Sequence, residues 1–352
     1  MVNIMKKEHT YHLFLLLSTF TRGLVETFSL VLLYKKGFII EEILFFLLMM
    51  YVIGIIINYI SLKINYKIVL IISSIFFGLS YLYLSSKDIS LFVLAILLSL
   101  SNYSYHTIRH YLGLIMLKKK DTRILVNIMN LGVILASIVG VLIIYKLSLV
   151  MVSVILIILV TISLIPVLKL QVCTDDKDNR KIIISKRKIL FNILEQFKVI
   201  FIELQPLFLY LYVNDSIVYV GIFNIVISIA SLIVVYFIAK KLSGNIFKYI
   251  ALILGFVLFF KINIKSSIFL LFIAFLEGVL VKLYDGYSLS YLYDIKDISI
   301  NKYLILEETI FFVSKSIIML FFIGFSLNLK LILLICVVGI ILSGLFYEEK
   351  TI

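Results

Sequence analysis

Long apolar runs separated by short polar segments dominate the whole sequence. A helix that crosses a bilayer needs about 20 apolar residues, and the runs have this length or approach it. Strand-like alternation, which a membrane barrel requires, is lacking. The pattern predicts twelve membrane-spanning helices, at residues 12–33, 43–60, 68–84, 91–117, 124–145, 149–168, 189–213, 217–238, 249–262, 266–293, 303–326 and 331–346.

One polar segment is much longer than the others and divides the chain into two sets of six spans. It covers residues 169–188 and contains a run of acidic and basic residues that we interpret as a solvated linker. The predicted domains are therefore a six-helix bundle at 1–168, a cytoplasmic central linker at 169–188, and a second six-helix bundle at 189–352. The predicted fold class is an all-α polytopic membrane protein.

The composition supports this interpretation. Apolar residues make up 63% of the 352 residues and charged residues 15%, and the mean hydropathy is +1.17. Soluble domains contain about 45–50% apolar and about 25% charged residues. The composition therefore excludes a soluble enzyme, a nucleic-acid-binding domain and a disordered chain. It indicates a protein that is embedded in the lipid bilayer.

The net charge of +13 indicates the orientation of the chain in the membrane. With the N-terminus inside, 21 of the 33 Lys and Arg residues fall in inside segments and 7 in outside segments. Basic residues accumulate in cytoplasmic loops, so this bias predicts that both termini are cytoplasmic. It also accounts for the positive charge without a nucleic-acid partner. The richness in Ile, Lys and Asn suggests a low-GC bacterium, so we expect its inner or sole cell membrane as the location.

Charged and polar side chains inside the spans recur on every third helix. They lie on the first, fourth, seventh and tenth spans: Arg22, Glu26, His106, Arg109, His110, Glu195, Lys198, Glu203, Gln205, Glu277, Lys282 and Asp285. The third, sixth, ninth and twelfth spans are apolar except for edge residues such as Lys261, which the charge count assigns to an outside loop. This period predicts a three-helix unit used four times, as in secondary transporters.

This layout resembles the major facilitator superfamily over essentially the whole chain. The resemblance rests on twelve helices with both termini inside, a long basic central loop, and charges on the first helix of each three. The family motif between helices two and three reads Gly-x-x-x-Asp-Arg-x-Gly-Arg-Lys. The corresponding stretch here runs from Asn58 to Lys67 and keeps only the basic positions Lys63 and Lys67, with Leu62 in the place of the acid.

The resemblance implies a central cavity lined by helices 1, 4, 7 and 10. The residues expected at this cavity are Arg22, Glu26, His106, Arg109, His110, Glu203, Gln205, Glu277, Lys282 and Asp285. A charge that faced lipid instead would cost several kcal/mol, so Arg22, Arg109, Glu203 and Glu277 are expected to converge near the midplane. The alternative for Arg22 and Glu26, four residues apart, is a structural ion pair.

Two carboxylates are candidates for proton coupling because they lie near the middle of their spans. They are Glu203 and Glu277. The alternative is that a fixed partner such as Lys198 or Lys282 neutralises each of them. On the eleventh span, Glu308 and Lys315 are seven residues apart and are interpreted as a structural pair.

Metal and cofactor chemistry find little support in the sequence. His106 and His110 have a spacing that can hold a metal on one helix face, but no carboxylate lies near them in the sequence. A cavity-facing Arg109 flanked by histidines that can carry protons fits better. Nucleotide-binding glycine motifs are absent, which argues against an ATP-driven pump. We expect no cofactor and no metal.

The function predicted from these features is secondary active transport of a small molecule by alternating access, with a proton as the candidate coupling ion. The protein is then not an enzyme, and we expect a monomer. Two alternatives remain open. One is an integral membrane enzyme acting on a lipid-linked substrate, which would need a sizeable catalytic loop at the membrane face. The other is a scaffold or receptor that transports nothing.

Overall fold

A computed structural model describes residues 2–116, 122–170, 185–237, 246–292 and 299–347. These residues form thirteen helices. The helices are α1 (Val2–Glu26), α2 (Ser29–Lys35), α3 (Ile40–Ser61), α4 (Tyr66–Leu84), α5 (Leu91–Met116), α6 (Thr122–Lys146), α7 (Leu149–Leu168), α8 (Lys186–Tyr212), α9 (Ile217–Phe237), α10 (Phe247–Asn263), α11 (Ser267–Leu292), α12 (Ile300–Gly324) and α13 (Leu329–Phe346).

Thirteen helices make twelve spans because α1 and α2 form one interrupted span. The helix breaks at Thr27 and Phe28 and then continues in α2. Each of the other eleven helices coincides with one predicted span within a few residues. The predicted fold class, an all-α membrane protein with about twelve spans, is therefore confirmed. Most of the predicted linker at 169–188 lies outside the described residues.

Eight spans in the described parts of the chain are long and apolar enough, by length and composition alone, to cross a membrane. The first of these includes both α1 and α2. The remaining four spans fall short for identifiable reasons. Helices α8 and α12 carry several charges, α10 has only 17 residues, and the apolar stretch described in α6 covers only Leu131–Lys146. The charges that weaken the hydropathy signal of α8 and α12 belong to the candidate site.

The same helix contacts occur in both halves of the chain, six spans apart. In the first half α1 packs on α6, α3 on α5, and α4 on both α5 and α7; in the second half α8 packs on α12, α9 on α11, and α10 on both α11 and α13. The halves meet where α3 packs on α12 and where α6 packs on α9. These two contacts are also equivalent, because exchanging the two halves converts one into the other. The observed packing is that of two related six-helix bundles.

Short polar side chains begin several of the spans. The side chains of Asn65, Ser148, Ser185, Ser299 and Asn328 each accept a hydrogen bond from a backbone N–H in the first turn of the following helix. Such caps satisfy donors that the helix itself leaves without partners. In this chain they allow one span to begin within a few residues of the preceding one.

Two glycines of α11 differ in the space around them, which gives a matched test of the packing against α9. A Cβ at Gly278 would collide with the backbone carbonyl oxygen of Ile227 on α9, whereas a Cβ at Gly286 would meet nothing within 4 Å. We expect Gly278→Ala to destabilise the protein by about 1–3 kcal/mol through overpacking. Gly286→Ala should be neutral or slightly stabilising because alanine favours helix. Thermal unfolding of the purified variants checks this, and equal melting temperatures for the two variants would contradict the close α9–α11 contact.

Candidate functional site

Arg22 lies inside the first half and is held by neutral groups. Its guanidinium donates hydrogen bonds to Ser73 Oγ on α4 at 2.6 Å, and to Ser101 Oγ and Asn102 Oδ1 on α5, each at 3.0 Å. Two rings cover its faces, with centroids 4.7 and 4.1 Å from Cζ, and belong to Phe77 and Tyr105. The side chain therefore joins α1, α4 and α5, with 3% of its surface exposed.

Glu26 lies one turn further along α1 and is partly exposed. It is within electrostatic range of Arg22, but no ion pair within 4.0 Å joins the two, and its Oε1 has no hydrogen-bond partner. The structural ion pair weighed for Arg22 and Glu26 is therefore not formed. The Nη1 and Nη2 atoms of Arg22 donate their hydrogen bonds to neutral side chains instead.

Glu277 forms an ion pair inside the second half. Its Oε2 lies 2.7 Å from Nζ of Lys261 on α10, and both side chains are almost fully buried. The rings of Phe201 and Phe223 lie beside the Lys261 ammonium, and the Gln205 side chain lies near the Glu277 carboxylate.

The assignment of Lys261 to an outside loop was therefore wrong. Helix α10 continues to Asn263, which keeps Lys261 inside the span, and Glu277 on the next helix pairs with its charge. A buried ammonium would otherwise be very costly. The partner of Glu277 is thus neither Lys198 nor Lys282, the two lysines considered from the sequence.

Glu203 connects the two halves near the middle of the bundle. Its carboxylate accepts a hydrogen bond from the hydroxyl of Tyr51 on α3 and another from Lys315 Nζ on α12 at 3.2 Å. The Lys315 ammonium also lies 5.0 Å from the centroid of the Tyr51 ring. The Glu203 side chain keeps 32% of its surface exposed, so this bridge is accessible.

Close aromatic packing surrounds the bridge. The rings of Tyr103 on α5 and Phe312 on α12 meet edge to face with centroids 4.5 Å apart. Gly54 on α3 faces both rings, and a Cβ there would approach each to 2.8 Å. The two halves are therefore in direct contact around Glu203.

The expected pair between Glu308 and Lys315 is also wrong. Lys315 contacts Glu203 instead, and no ion pair within 4.0 Å joins it to Glu308. The adjacent Glu307 points to α8, where it contacts Lys188 Nζ at 3.3 Å and accepts a hydrogen bond from Asn192. The two glutamates, adjacent in sequence, thus face different helices.

A network of charges joins α8 to α11 inside the second half. Lys198 Nζ lies 2.6 Å from Asp285 Oδ1 and 3.4 Å from Glu195 Oε1, and Glu195 also accepts a hydrogen bond from Ser288. Lys282 lies 3.9 Å from the other oxygen of Asp285. Asp285 and Lys282 are partly exposed, with 27% and 14% of their side-chain surfaces accessible.

Arg109 and the two histidines lie on α5. Arg109 Nη2 is 3.3 Å from His110 Nε2, and its guanidinium lies 5.8 Å from the Tyr105 ring centroid. His106 packs edge to face on Tyr105. All three of the polar side chains are partly exposed. Within the described residues, no group of three or more potential metal ligands comes together.

The fold is shared with solved membrane transporters. The human organic anion transporter MFSD10 is 10% identical with a TM-score of 0.69, over 97% of this chain and 99% of that one. A bacterial homologue of the iron transporter ferroportin is 12% identical with a TM-score of 0.65, over 97% and 98%. The E. coli fucose:proton symporter FucP is 14% identical with a TM-score of 0.62, over 99% of each chain.

The chain has the major facilitator fold. The resemblance noted from the sequence is thereby confirmed at the level of fold. No protein-family model matches the chain, and no curated protein matches it. The departure from the family motif between the second and third spans agrees with this distance in sequence.

Residues of that divergent stretch still connect helices of the first half. Asn58 accepts a hydrogen bond from Thr107 on α5 at 3.0 Å. Beyond the turn, Tyr66 and Lys67 donate to the backbone carbonyls of Leu170 and Leu168, at 2.7 and 2.8 Å. The motif acid is missing from this turn, and the turn is instead connected to α5 and to the end of α7 by these hydrogen bonds.

The structure distributes the predicted cavity residues over several environments of the major facilitator fold. Arg22 and Glu277 lie within opposite halves, and Glu203 lies at the contact between them. Within the described residues, no hydrogen bond or ion pair joins any two of Arg22, Arg109, Glu203 and Glu277. Tyr51 was not predicted as a site residue, because a neutral tyrosine within an apolar span gives no charge or spacing signal in the sequence. Lys315 was visible as an intramembrane charge, but on a helix outside the period of three.

Proposed function

We propose that the protein is a secondary active transporter that moves a small molecule by alternating access, with a proton as the coupling ion. Major facilitator folds at TM-scores of 0.62–0.69 support transport as the general activity. The protein then acts in a cell membrane, with both termini cytoplasmic, and is not an enzyme. The observation that carries the proposal is the bridge from Tyr51 through Glu203 to Lys315.

The bridge suits coupling because its strength depends on the charge of one accessible group. Ionised Glu203 attracts Lys315 and accepts the hydrogen bond from Tyr51, so it holds α3 of the first half against α8 and α12 of the second. A proton on Glu203 would remove that attraction and one acceptor. A ligand shifts a conformational equilibrium only by binding its states unequally. Here the proton would favour states in which the halves have separated at this point.

Purified protein in liposomes tests the activity directly. Vesicles that contain a pH-sensitive dye are exposed to a panel of metabolites at equal pH on both sides. A transported compound is expected to change the internal pH only in vesicles that contain the protein. If no compound produces a protein-dependent pH change and none is taken up as a labelled tracer, proton-coupled transport is wrong.

Cysteine labelling tests the orientation. Cys173 belongs to the predicted cytoplasmic linker and lies outside the described residues, whereas Cys336 on α13 is fully buried. We expect a membrane-impermeant thiol reagent to label Cys173 in inside-out vesicles but not in intact cells. Cys336 should react only after denaturation and serves as the internal control. Labelling of Cys173 in intact cells would overturn the orientation.

A further inference from the structure

Most charged side chains inside the spans have a partner of opposite charge in direct contact. These contacts join Lys261 to Glu277, Lys315 to Glu203, Lys188 to Glu307, and Lys198 to both Glu195 and Asp285. Arg22 has three neutral acceptors instead. Among the basic residues that the structure describes inside the spans, two differ from this pattern, and they lie in different halves: Arg109 on α5 and Lys282 on α11.

Neither of these two basic side chains has a full ionic partner. Among the described residues, Arg109 has no carboxylate within 4.0 Å, and its one side-chain hydrogen bond is to His110. Lys282 reaches a single oxygen of Asp285 at 3.9 Å, while Lys198 holds the other oxygen at 2.6 Å. An arginine that presents several donors without an acceptor is ready to bind an anion.

The two basic residues belong to opposite halves and lie within electrostatic range of each other. Arg109 is close enough to Lys282 for the two charges to interact, and the interaction is repulsive. Helices α5 and α11 are not among the pairs that pack along their length, and both side chains are partly exposed. At the opposite end of the bundle, by contrast, α2 packs on α8, with the rings of Tyr34 and Tyr210 in contact.

Two acidic side chains near Arg109 have to be considered. Glu26 on α1 and Glu308 on α12 both lie within electrostatic range of Arg109, but neither forms an ion pair with it within 4.0 Å. Glu26 is partly exposed, and Glu308 is buried, with 8% of its surface exposed. Both lower the positive potential around Arg109 without taking up the donors of the guanidinium, which stay available to a ligand.

We infer that Arg109 and Lys282 form a two-sided anion site, and that the transported substrate carries a carboxylate or phosphate group. This inference rests on the proposed function and adds the chemical class of the substrate. Arginine binds both kinds of group through paired N–H donors, and the lysine ammonium contributes a point charge from the other half.

Such a substrate would link its own binding to the approach of α5 and α11. Without the anion, the like charges of Arg109 and Lys282 oppose the approach of α5 and α11. An anion bound between Arg109 and Lys282 attracts both side chains, and this attraction offsets their mutual repulsion. The closed state then binds the anion more tightly than the open state, which is the condition for a ligand to drive a conformational change.

Thermal unfolding of the purified protein with matched probes tests the site. The anions are lactate, succinate and glycerol 3-phosphate, and the neutral counterparts are lactamide, succinamide and glycerol. We expect at least one anion to raise the melting temperature of the wild-type protein in a saturable way, with no effect of its counterpart. A preference for glycerol 3-phosphate over the two carboxylates would assign a phosphate group, and the reverse a carboxylate.

Variants connect the effect to the two residues. In Arg109→Gln and Lys282→Gln the apparent affinity should fall at least about tenfold, the cost of one charge-assisted hydrogen bond. Arg109→Lys should retain part of the affinity. Lys265→Gln, which removes an exposed lysine just before α11, should bind as the wild type does. Without ligand, Arg109→Gln should melt no lower than the wild type, because it removes a repulsion from Lys282. Lys282→Gln should melt close to the wild type, because it loses both that repulsion and the 3.9 Å contact with Asp285.

Three results would overturn the anion site. They are a wild-type protein that no anion of the set stabilises, equal stabilisation by the neutral counterparts, and wild-type affinity in both Gln variants. A neutral or cationic compound that the wild type accumulates would also reject the site while leaving transport intact. An anion that binds through Arg109 and Lys282 but is never moved would instead support the site and reject transport.

Discussion

Replacing Glu203 with glutamine is expected to abolish the accumulation of substrate against its gradient while exchange of substrate across the membrane continues. Glutamine has nearly the same size and can still accept the hydrogen bond from Tyr51, but it takes up no proton and does not attract Lys315. The variant could still alternate between its conformations and exchange substrate without a proton. The proton gradient would no longer drive uphill transport.

Liposomes with an imposed pH gradient measure this difference. Accumulation of a labelled substrate is compared with counterflow in vesicles preloaded with the unlabelled compound. Glu41→Gln, at an exposed acid in the first turn of α3, is the matched control and should accumulate substrate as the wild type does. Tyr51→Phe keeps the charge of Glu203 and should reduce accumulation only in part. If Glu203→Gln still concentrates substrate, Glu203 does not couple the proton.

Replacing Glu277 with glutamine should instead reduce stability. The change would leave Lys261 as a buried charge without its partner, surrounded by Phe201 and Phe223. Breaking a buried ion pair by removing one member costs about 3–5 kcal/mol, whereas replacing both members by apolar residues is often neutral or stabilising. We therefore expect a large loss in Glu277→Gln and a recovery in the double variant Glu277→Leu with Lys261→Met.

Thermal unfolding in detergent and transport in liposomes, measured on the same variants, separate the two candidate carboxylates. The double variant should fold and still concentrate substrate, because Glu277 and Lys261 are almost completely buried and Glu203 is accessible. If the double variant has the stability of the wild type but no longer accumulates substrate, Glu277 takes part in coupling. If Glu277→Gln alone is as stable as the wild type, the ion pair contributes little.

Charge partners in the candidate site depend on the rotation and depth of helices that lie far apart in sequence. Glu203 and Lys315 are separated by 112 residues, and Tyr51 and Glu203 by 152. No spacing rule connects such positions, because helix periodicity relates only residues of the same helix. The pair weighed as an alternative for Arg22 and Glu26 and the pair expected for Glu308 and Lys315 are both absent, because Arg22 and Lys315 contact groups on neighbouring helices instead.

The error at Lys261 has a related origin. The ninth span is short, and a lysine near its end reads as a loop residue when hydropathy is the only guide. The predicted span at 249–262 already contained Lys261, and α10 ends only one residue later, at Asn263. Packing therefore decided the surroundings of the ammonium, which is buried against Glu277 of α11, and not the end of the helix.

The sequence by itself determined the number of spans, their positions and the six-plus-six arrangement. These follow from the length of apolar chain that a bilayer requires, a constraint that acts on each span separately and leaves a strong signal. Only the tertiary structure decided which charges are paired inside one half, which one bridges the halves, and which two basic residues lack a full partner. Those outcomes depend on the faces that packed helices present to one another, and a buried charge takes the partner that packing brings within reach.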